Sequence, residues 1–427
     1  MSAVLMGVFL VLITIGLPIA FAMALGAVAT IAYHGGLPFN LFIQRALIGA
    51  DSYSLLAIPF FILAGNIMNV GGITSRIINF ANACVGRFSG GLGLTTVMSC
   101  MVFSGVSGSA VADATALGKV LIPGMRKTGY DPGFSAAVTA SASVMGPIIP
   151  PSIPLVIYGL SVGKGVSVAA LFLGGVVPGI LLGVGLAIVT FLIARSRNYP
   201  VHEAKPMREV MQSAGQAIWA LMMPFVILFG VTGGVVTVTE SAAFAVLYAL
   251  FVSMVIHREL KVKDLWPILV QSGIDSAVVM IIIAFASGFG YLMAVSGLPR
   301  EIAAWIGGFS SNPLVILLLI NGLLLVVGCF MEAIAAMIIL IPVLIPIVQA
   351  AGIDLIHFGL VMVFNLMLGL LTPPVGILLY ICGNFAQVKI ERVVKEVLPF
   401  LAVGVGVLVL ITFFPQLVLW LPNLILK

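Results

Sequence analysis

Apolar residues fill most of the chain in runs of about 20 or more, the length a helix needs to cross the hydrocarbon core of a bilayer. Such runs predict spans near residues 4–32, 46–69, 134–160, 167–194, 215–235, 237–256, 265–293, 358–381 and 397–421. Two further apolar stretches, 88–118 and 313–341, are interrupted at their centres by Gly105 to Ser109 and by Gly328 to Glu332. Each reads as a re-entrant hairpin that enters and leaves on one side. Polar residues gather in 195–213, broken by Pro200 and Pro206, and in the shorter segment 257–264. The first run has no basic leader and no small-residue cleavage site, which predicts a retained helix rather than a signal peptide. The expected fold is an all-α polytopic membrane protein.

Composition strengthens this reading. The chain is 62% hydrophobic and 8% charged, whereas a soluble domain carries about 25% charged residues. Its solvent is lipid. The net charge of +5 does not point to nucleic acid, because the basic residues sit between apolar runs and form no single face. If both hairpins return to their own side, the loops 70–90, 119–132, 195–213, 257–264 and 382–396 share a face and hold 15 of the 19 Lys and Arg. Only Arg45, Lys164, Arg300 and Lys427 fall on the other side. The positive-inside rule then makes the N-terminus cytoplasmic and the C-terminus periplasmic. Cys84, Cys100, Cys329 and Cys382 form no CxxC, and the four histidines (34, 202, 257 and 357) lie in or near predicted loops. Neither a disulfide framework nor a zinc site is expected.

The chain repeats itself. Residues 146–158 read GPIIPPSIPLVIY and 369–380 read GLLTPPVGILLY, placing Gly146, Pro150 and Pro151 on Gly369, Pro373 and Pro374. The same offset puts Gly105 on Gly328. With slips of one or two residues, Asp51-Ser52 matches Asp275-Ser276, and Val70 to Ile73 matches Val295 to Leu298. The expected organisation is a first repeat over 1–195, a linker and joining span over 196–236, and a second repeat over 237–427. The single joining span inverts the second half. An inverted repeat with a broken element in each half is a signature of secondary transporters.

The chemistry is expected at the breaks, because a broken helix in lipid must face protein or a water-filled cavity. Phe103 to Ala110 holds Gly105, Gly108, Ser104, Ser107 and Ser109. Freed carbonyls there suit a dehydrated Na⁺, and freed N–H groups at the following helix start suit a carboxylate; close helix packing through small residues is the alternative, but five Gly or Ser within six residues exceed what packing needs. Each Pro-Pro pair frees the carbonyl four residues back, making Gly146 and Gly369 candidate oxygen ligands. Ile149 and Thr372 share the same distorted turns, and Thr372 adds a hydroxyl. A mere kink would explain one such helix better than two. Asp113 and Glu332 are intramembrane carboxylates, which need a reason; Glu332 either caps its half-helix or meets a substrate. Glu240, Asp51 and Asp275 read as caps near span ends.

The stretches FSGVSGSAVADATALGKVLIPGM (103–125), GPIIPPSIPLVIYG (146–159), GGVVTVTESAA (233–243) and LTPPVGILLY (371–380) resemble the large membrane subunit of tripartite ATP-independent periplasmic (TRAP) transporters, over nearly the whole chain. That resemblance implies an elevator-type ion-transporter fold of the bacterial inner membrane, with Na⁺ co-transported at two or more sites. It implies a small organic anion as cargo, of the sialic acid or C4-dicarboxylate type. It also implies two partners, a separate small four-span membrane subunit and a periplasmic solute-binding protein. Carried onto this sequence, one Na⁺ site would use Ser104, Ser107, Gly146, Ile149 and Pro150, and a second Gly328, Gly369 and Thr372. Substrate would lie between the hairpin tips, near Ser107, Gly108, Ser109 and Glu332. The rival readings are a stand-alone Na⁺–carboxylate carrier, a passive channel and an intramembrane enzyme. The enzyme lacks an HExxH motif and a histidine deep in a span. No nucleotide-binding P-loop occurs, in keeping with ion-driven transport.

Overall fold

The computed structural model describes residues 1–35, 38–163, 165–201, 206–297, 301 and 312–426. Lys164, His202, Leu298, Arg300 and Lys427, and residues 202–205 of the predicted linker, lie outside them. Among the described residues the chain is helical with no strand, and eight helical segments are long and apolar enough to cross a membrane.

Several predicted spans are not continuous helices. The run 4–32 forms α1 (Ser2–Thr14) and α2 (Ile19–His34). The two fold back on each other, with Gly26 set against Leu5 and Phe9. Gly16, at a φ of 90°, and Pro18, just before α2, end one helix and start the next. This reversal was not in the span count, so the side of the N-terminus no longer follows from that count. The run 46–69 divides at Asp51 and Ser52 into α3 (Asn40–Ala50), a 3₁₀ turn (Tyr53–Leu56) and α4 (Ala57–Val70). After α5 (Ile73–Val85), the first predicted hairpin is α6 (Gly91–Ser107) and α7 (Ala110–Lys127).

The Pro-Pro segments end helices rather than distort them. The chain leaves α8 (Pro132–Ser143) at Val144 and becomes helical again only in α9 (Ile153–Val162). Two successive prolines remove two N–H donors, and each disfavours helix in the residue before it. Ser152 restarts the helix by accepting a hydrogen bond from the Leu155 N–H at 3.2 Å. Helices α10 (Val168–Ser196), α11 (Met207–Thr232), α12 (Val238–Phe251) and α13 (Val262–Ser296) follow. The second interrupted stretch is α14 (Pro313–Phe330) and α15 (Ala333–Ala350). Then α16 (Leu355–Gly369) stops before the second Pro-Pro, and α17 (Ile377–Ala386), α18 (Ile390–Phe413) and α19 (Gln416–Ile425) complete the chain. The order long helix, break, long helix, helix, Pro-Pro segment and ten-residue helix thus occurs in both halves.

Helices from both halves mix in the packing. On one side α2, α3, α4, α12 and α13 pack together. On the other, α6 to α10 pack among α14 to α19: α17 lies on α7 and α8, α15 on α9, and α19 on α10. Tyr158 of α9 fills the space left by Gly359 of α16 and donates its hydroxyl to the Leu355 carbonyl at 2.7 Å. Asn365 donates to the Asn321 side-chain oxygen at 2.9 Å, and Asn321 to Thr412 at 2.9 Å, stitching α16, α14 and α18 with buried amides. At a helix-end surface, Arg197 pairs with Glu396 at 2.9 Å and Arg392 with Asp131.

Candidate functional site

The α6–α7 break is built by glycine and serine. Gly108 takes a left-handed φ of 61°, and a side chain there would lie 2.9 Å from the Pro151 carbonyl oxygen, so only glycine suits the position. Ser109 then turns extended and caps α7, accepting from the Ala112 N–H at 3.4 Å. Its own N–H donates to the Ser107 hydroxyl oxygen at 3.3 Å, and Ser107 Oγ donates to Asp113 Oδ1. Asp113 is completely buried, and its Oδ2 has no hydrogen-bond partner among the described residues. A Cβ built on Gly146 would sit 2.6 Å from that oxygen and 3.1 Å from the Ser109 carbonyl oxygen. The open oxygen of Asp113 and the Ser109 carbonyl therefore converge on the space that glycine leaves at position 146.

Of the first predicted ligand set, Ser107 and Gly146 meet at Asp113. Ser104 is fully buried one turn before Ser107 and donates to the Cys100 carbonyl at 2.5 Å. The carbonyls of Gly146, Ile149 and Pro150 accept no hydrogen bond among the described residues, and the Pro150 oxygen would lie 3.5 Å from a Cβ on Gly105. Asp113, absent from the sequence-based ligand set, is the only formal charge in this cluster. Its place six residues after Ser107, beside an uncharged Gly/Ser run, was the signal available.

The second predicted set is also brought together. Gly369 and Gly328 touch backbone to backbone; a Cβ on Gly369 would lie 2.6 Å from the Gly328 Cα. The Gly369 carbonyl accepts the Thr372 N–H at 3.0 Å, and the Thr372 hydroxyl donates to the Leu368 carbonyl at 2.9 Å. The Cys329 carbonyl accepts the Val375 N–H at 3.3 Å, tying the α14–α15 break to the second Pro-Pro segment. Glu332 caps α15, its Oε2 accepting the Ala335 N–H at 3.0 Å.

Between the breaks lies a cavity of about 440 Å³, within the usual size range of small-molecule sites. Ser107, Gly108 and Ser109 line it from the first break and Glu332 from the second. Glu332 therefore both caps its helix and faces the cavity. Asn66 and Asn69 of α4 with Gln271 and Asp275 of α13 also line it, and Gly65 of α4 packs on the Ser107 backbone. Asp275 was read as a span-end cap; it lies instead near the middle of a 35-residue helix and faces the cavity. The i, i+4 pair Gln271–Asp275 and the i, i+3 pair Asn66–Asn69, polar inside apolar runs, are the sequence signals for this lining. Asp51 is exposed at the end of α3 and takes no part in the cavity. Glu240 is a helix cap, in a reciprocal box with Thr237 at 2.7 and 3.3 Å.

A multi-pass helical protein with a cavity bounded by two mid-chain helix breaks has the architecture of a membrane transporter. The fold of the YdaH transporter of Alcanivorax borkumensis matches with a TM-score of 0.61 over 88% of this chain and 88% of that one, at 18% identity. The antimetabolite efflux pump MtrF of Neisseria gonorrhoeae matches with a TM-score of 0.56 over 87% and 83%, at 15% identity. Residues 6–417 match the family described as the tripartite ATP-independent periplasmic transporter, DctM component, and the chain belongs to that family. Among its relatives, the sialic acid TRAP transporter large permease protein SiaM of Vibrio cholerae is 40% identical over 96% of both chains. The C4-dicarboxylate TRAP transporter large permease protein DctM of Pseudomonas aeruginosa is 37% identical over 88% of this chain and 87% of that one. The isethionate TRAP transporter permease protein DctMQ of Oleidesulfovibrio alaskensis is 40% identical over 97% of this chain, which spans 65% of that longer protein.

Proposed function

We propose that this chain is the translocating subunit of a Na⁺-coupled secondary transporter that brings a small organic acid across the bacterial inner membrane. The carrying observation is the Asp113 carboxylate: it is fully buried, one oxygen is unpartnered among the described residues, and that oxygen and the Ser109 carbonyl oxygen both face the space beside Gly146. A buried anion of this kind calls for a cation, and Na⁺, which takes oxygen ligands, suits hydroxyls and carbonyls. Ser104, Ser107, Gly146, Ile149 and Pro150 would complete this first site around Asp113. Gly328, Gly369 and Thr372 would form the second.

The substrate carboxylate would lie at the start of α7, where the first N–H groups have no partner four residues back in their own helix and the helix dipole favours an anion. Ser107, Gly108 and Ser109 would surround it, with Glu332 across the cavity. The helices that carry both breaks pack as one group against α4 and α13, which supports an elevator motion of that group along the other. Relatives named for sialic acid, C4-dicarboxylate and isethionate transport support an organic acid as cargo. The family name supports a periplasmic binding protein and a small four-span membrane subunit as partners, and the basic loops are assigned to the cytoplasm.

The test is uptake of radiolabelled sialic acid and succinate into proteoliposomes holding the chain, its small subunit and its binding protein, with and without an inward Na⁺ gradient. Uptake that needs both the gradient and the binding protein is expected. Uptake by this chain alone would mark a stand-alone carrier, and uptake indifferent to Na⁺ would refute the coupling.

A further inference from the structure

The polar groups lining the cavity differ in chemistry, and the difference bears on which acid fits. This inference rests on the cavity being the substrate site, as proposed above. The start of α7 offers hydrogen-bond donors: a serine hydroxyl and the first-turn N–H groups of Ala110 and Val111. On α13 stands an acceptor. Asp275 is held at both oxygens, Oδ1 accepting from Gln271 Nε2 at 2.9 Å and Oδ2 from Asn66 Nδ2 at 3.2 Å. Asn66 is itself anchored to the Ser272 hydroxyl at 2.9 Å. This scaffolding fixes the carboxylate in place yet uses only part of its capacity, because each carboxylate oxygen has two lone-pair sites.

Among the described residues, no Lys, Arg or His lines the cavity. A solute with an anionic group at each end would therefore bring its second charge against Asp275, with Glu332 also lining the cavity and no basic side chain among the described lining residues to offset the repulsion. A solute whose far end carries hydroxyl or amide N–H groups would instead donate to Asp275. We infer that Asp275, oriented by Asn66 and Gln271, is a specificity-determining residue that receives hydroxyl or N–H donors from the uncharged end of the solute, which makes the cargo a hydroxylated monoanion rather than a dicarboxylate. Because Asp275 sits on α13 and Ser109 on α7, such a solute bridges the two packing groups of helices.

Binding to the full-length chain with its small subunit in nanodiscs tests this without the selectivity of a binding protein. Thermal shift in NaCl is read with three probes: gluconate, N-acetylneuraminate and succinate. Wild type should bind at least one hydroxylated monoanion at least tenfold more tightly than succinate. Asp275→Asn should weaken that acid roughly tenfold to a hundredfold, the span of a hydrogen bond to a charged group, and should narrow or reverse the preference over succinate. Asp275→Glu, which keeps the acceptor, should recover part of the loss and guards against a mere folding defect. Tighter binding of succinate by wild type, binding of neither hydroxylated acid, or an unchanged preference in Asp275→Asn would overturn the assignment. Binding of the hydroxylated acids that is equal in NaCl and choline chloride would count against Na⁺ coupling and leave Asp275 in its role.

Discussion

Asp113→Asn isolates the proposed coupling ion. The substitution keeps the shape of the side chain and its contact with Ser107 while removing the charge. In the native chain the carboxylate is fully buried and Oδ2 is unpartnered. An uncompensated buried charge is destabilising by about 3–5 kcal/mol, so a cation that fills the space beside Gly146 should stabilise the fold visibly. At a Na⁺ concentration about a hundredfold above its dissociation constant, the linkage amounts to about 2.7 kcal/mol. At roughly 2 °C per kcal/mol for a large chain, the melting temperature should rise by about 5 °C between choline chloride and NaCl at equal ionic strength. Asp113→Asn should lose most of that Na⁺-specific rise and melt no lower than wild type in choline. The assay is differential scanning fluorimetry in detergent, with K⁺ and choline as controls. A variant that retains the full Na⁺-specific rise would refute the assignment of Asp113 to the ion, whatever its effect on uptake.

Ser104→Ala and Thr372→Ala should each reduce Na⁺-dependent uptake more than they reduce membrane expression; wild-type Na⁺ dependence in both would remove these hydroxyls from the ion sites. Gly369→Ala places a methyl group 2.6 Å from the Gly328 Cα, so α14 and α16 must separate, at a cost of about 1–3 kcal/mol, read as a lower melting temperature. His257, in the loop after α12, donates its Nδ1–H to the Gly71 carbonyl at 3.3 Å; burial, followed by the nearby Arg76 charge, holds its pKa below the ordinary histidine value. The unfolded chain then binds more protons between the ordinary value, about 6.5, and the lower folded one. Stability should therefore fall as pH drops through that window, and His257→Gln should flatten the decline in melting temperature between pH 7.5 and 5.5; an identical decline in the variant would show that another group sets it.

Much of the site was legible because it is written twice. The shared offset between Gly105 and Gly328, and between the two Pro-Pro pairs, located both breaks, and those breaks do meet at one cavity through Ser109 and Glu332. The first run was misread for a physical reason: an apolar residue reports that it avoids water, and lipid or a neighbouring helix satisfies it equally. Only Gly16 and Pro18 marked the reversal between α1 and α2, and the surrounding hydrophobicity masked them. Asp275 was harder still, because its significance depends on helix length. Once α13 proves to run unbroken for 35 residues, an aspartate near its middle has to face protein or a cavity. The wall formed with Asn66 arises from packing between α4 and α13, which no local pattern encodes.

The packing also bears on how ion and solute would be coupled in the proposed mechanism. The proposed first ion site and the proposed anion site at the start of α7 share Ser107, Ser109 and Asp113. Ser107 donates to Asp113 and accepts the Ser109 N–H, while the Asp113 N–H donates to the Ser109 carbonyl at 3.0 Å. A cation drawn to Asp113 Oδ2 and the Ser109 carbonyl would thus hold rigid the residue whose other face lines the cavity. The second break is braced to the first across the repeat: α17 packs on α7, and α15 on α9. Gly328 against Gly369 leaves no room for α14 to shift independently of α16. In the proposed mechanism, ion occupancy at either site would therefore stiffen one interlocked body, and a solute reaching from α7 to Asp275 on α13 would report its position to the helices that body moves against.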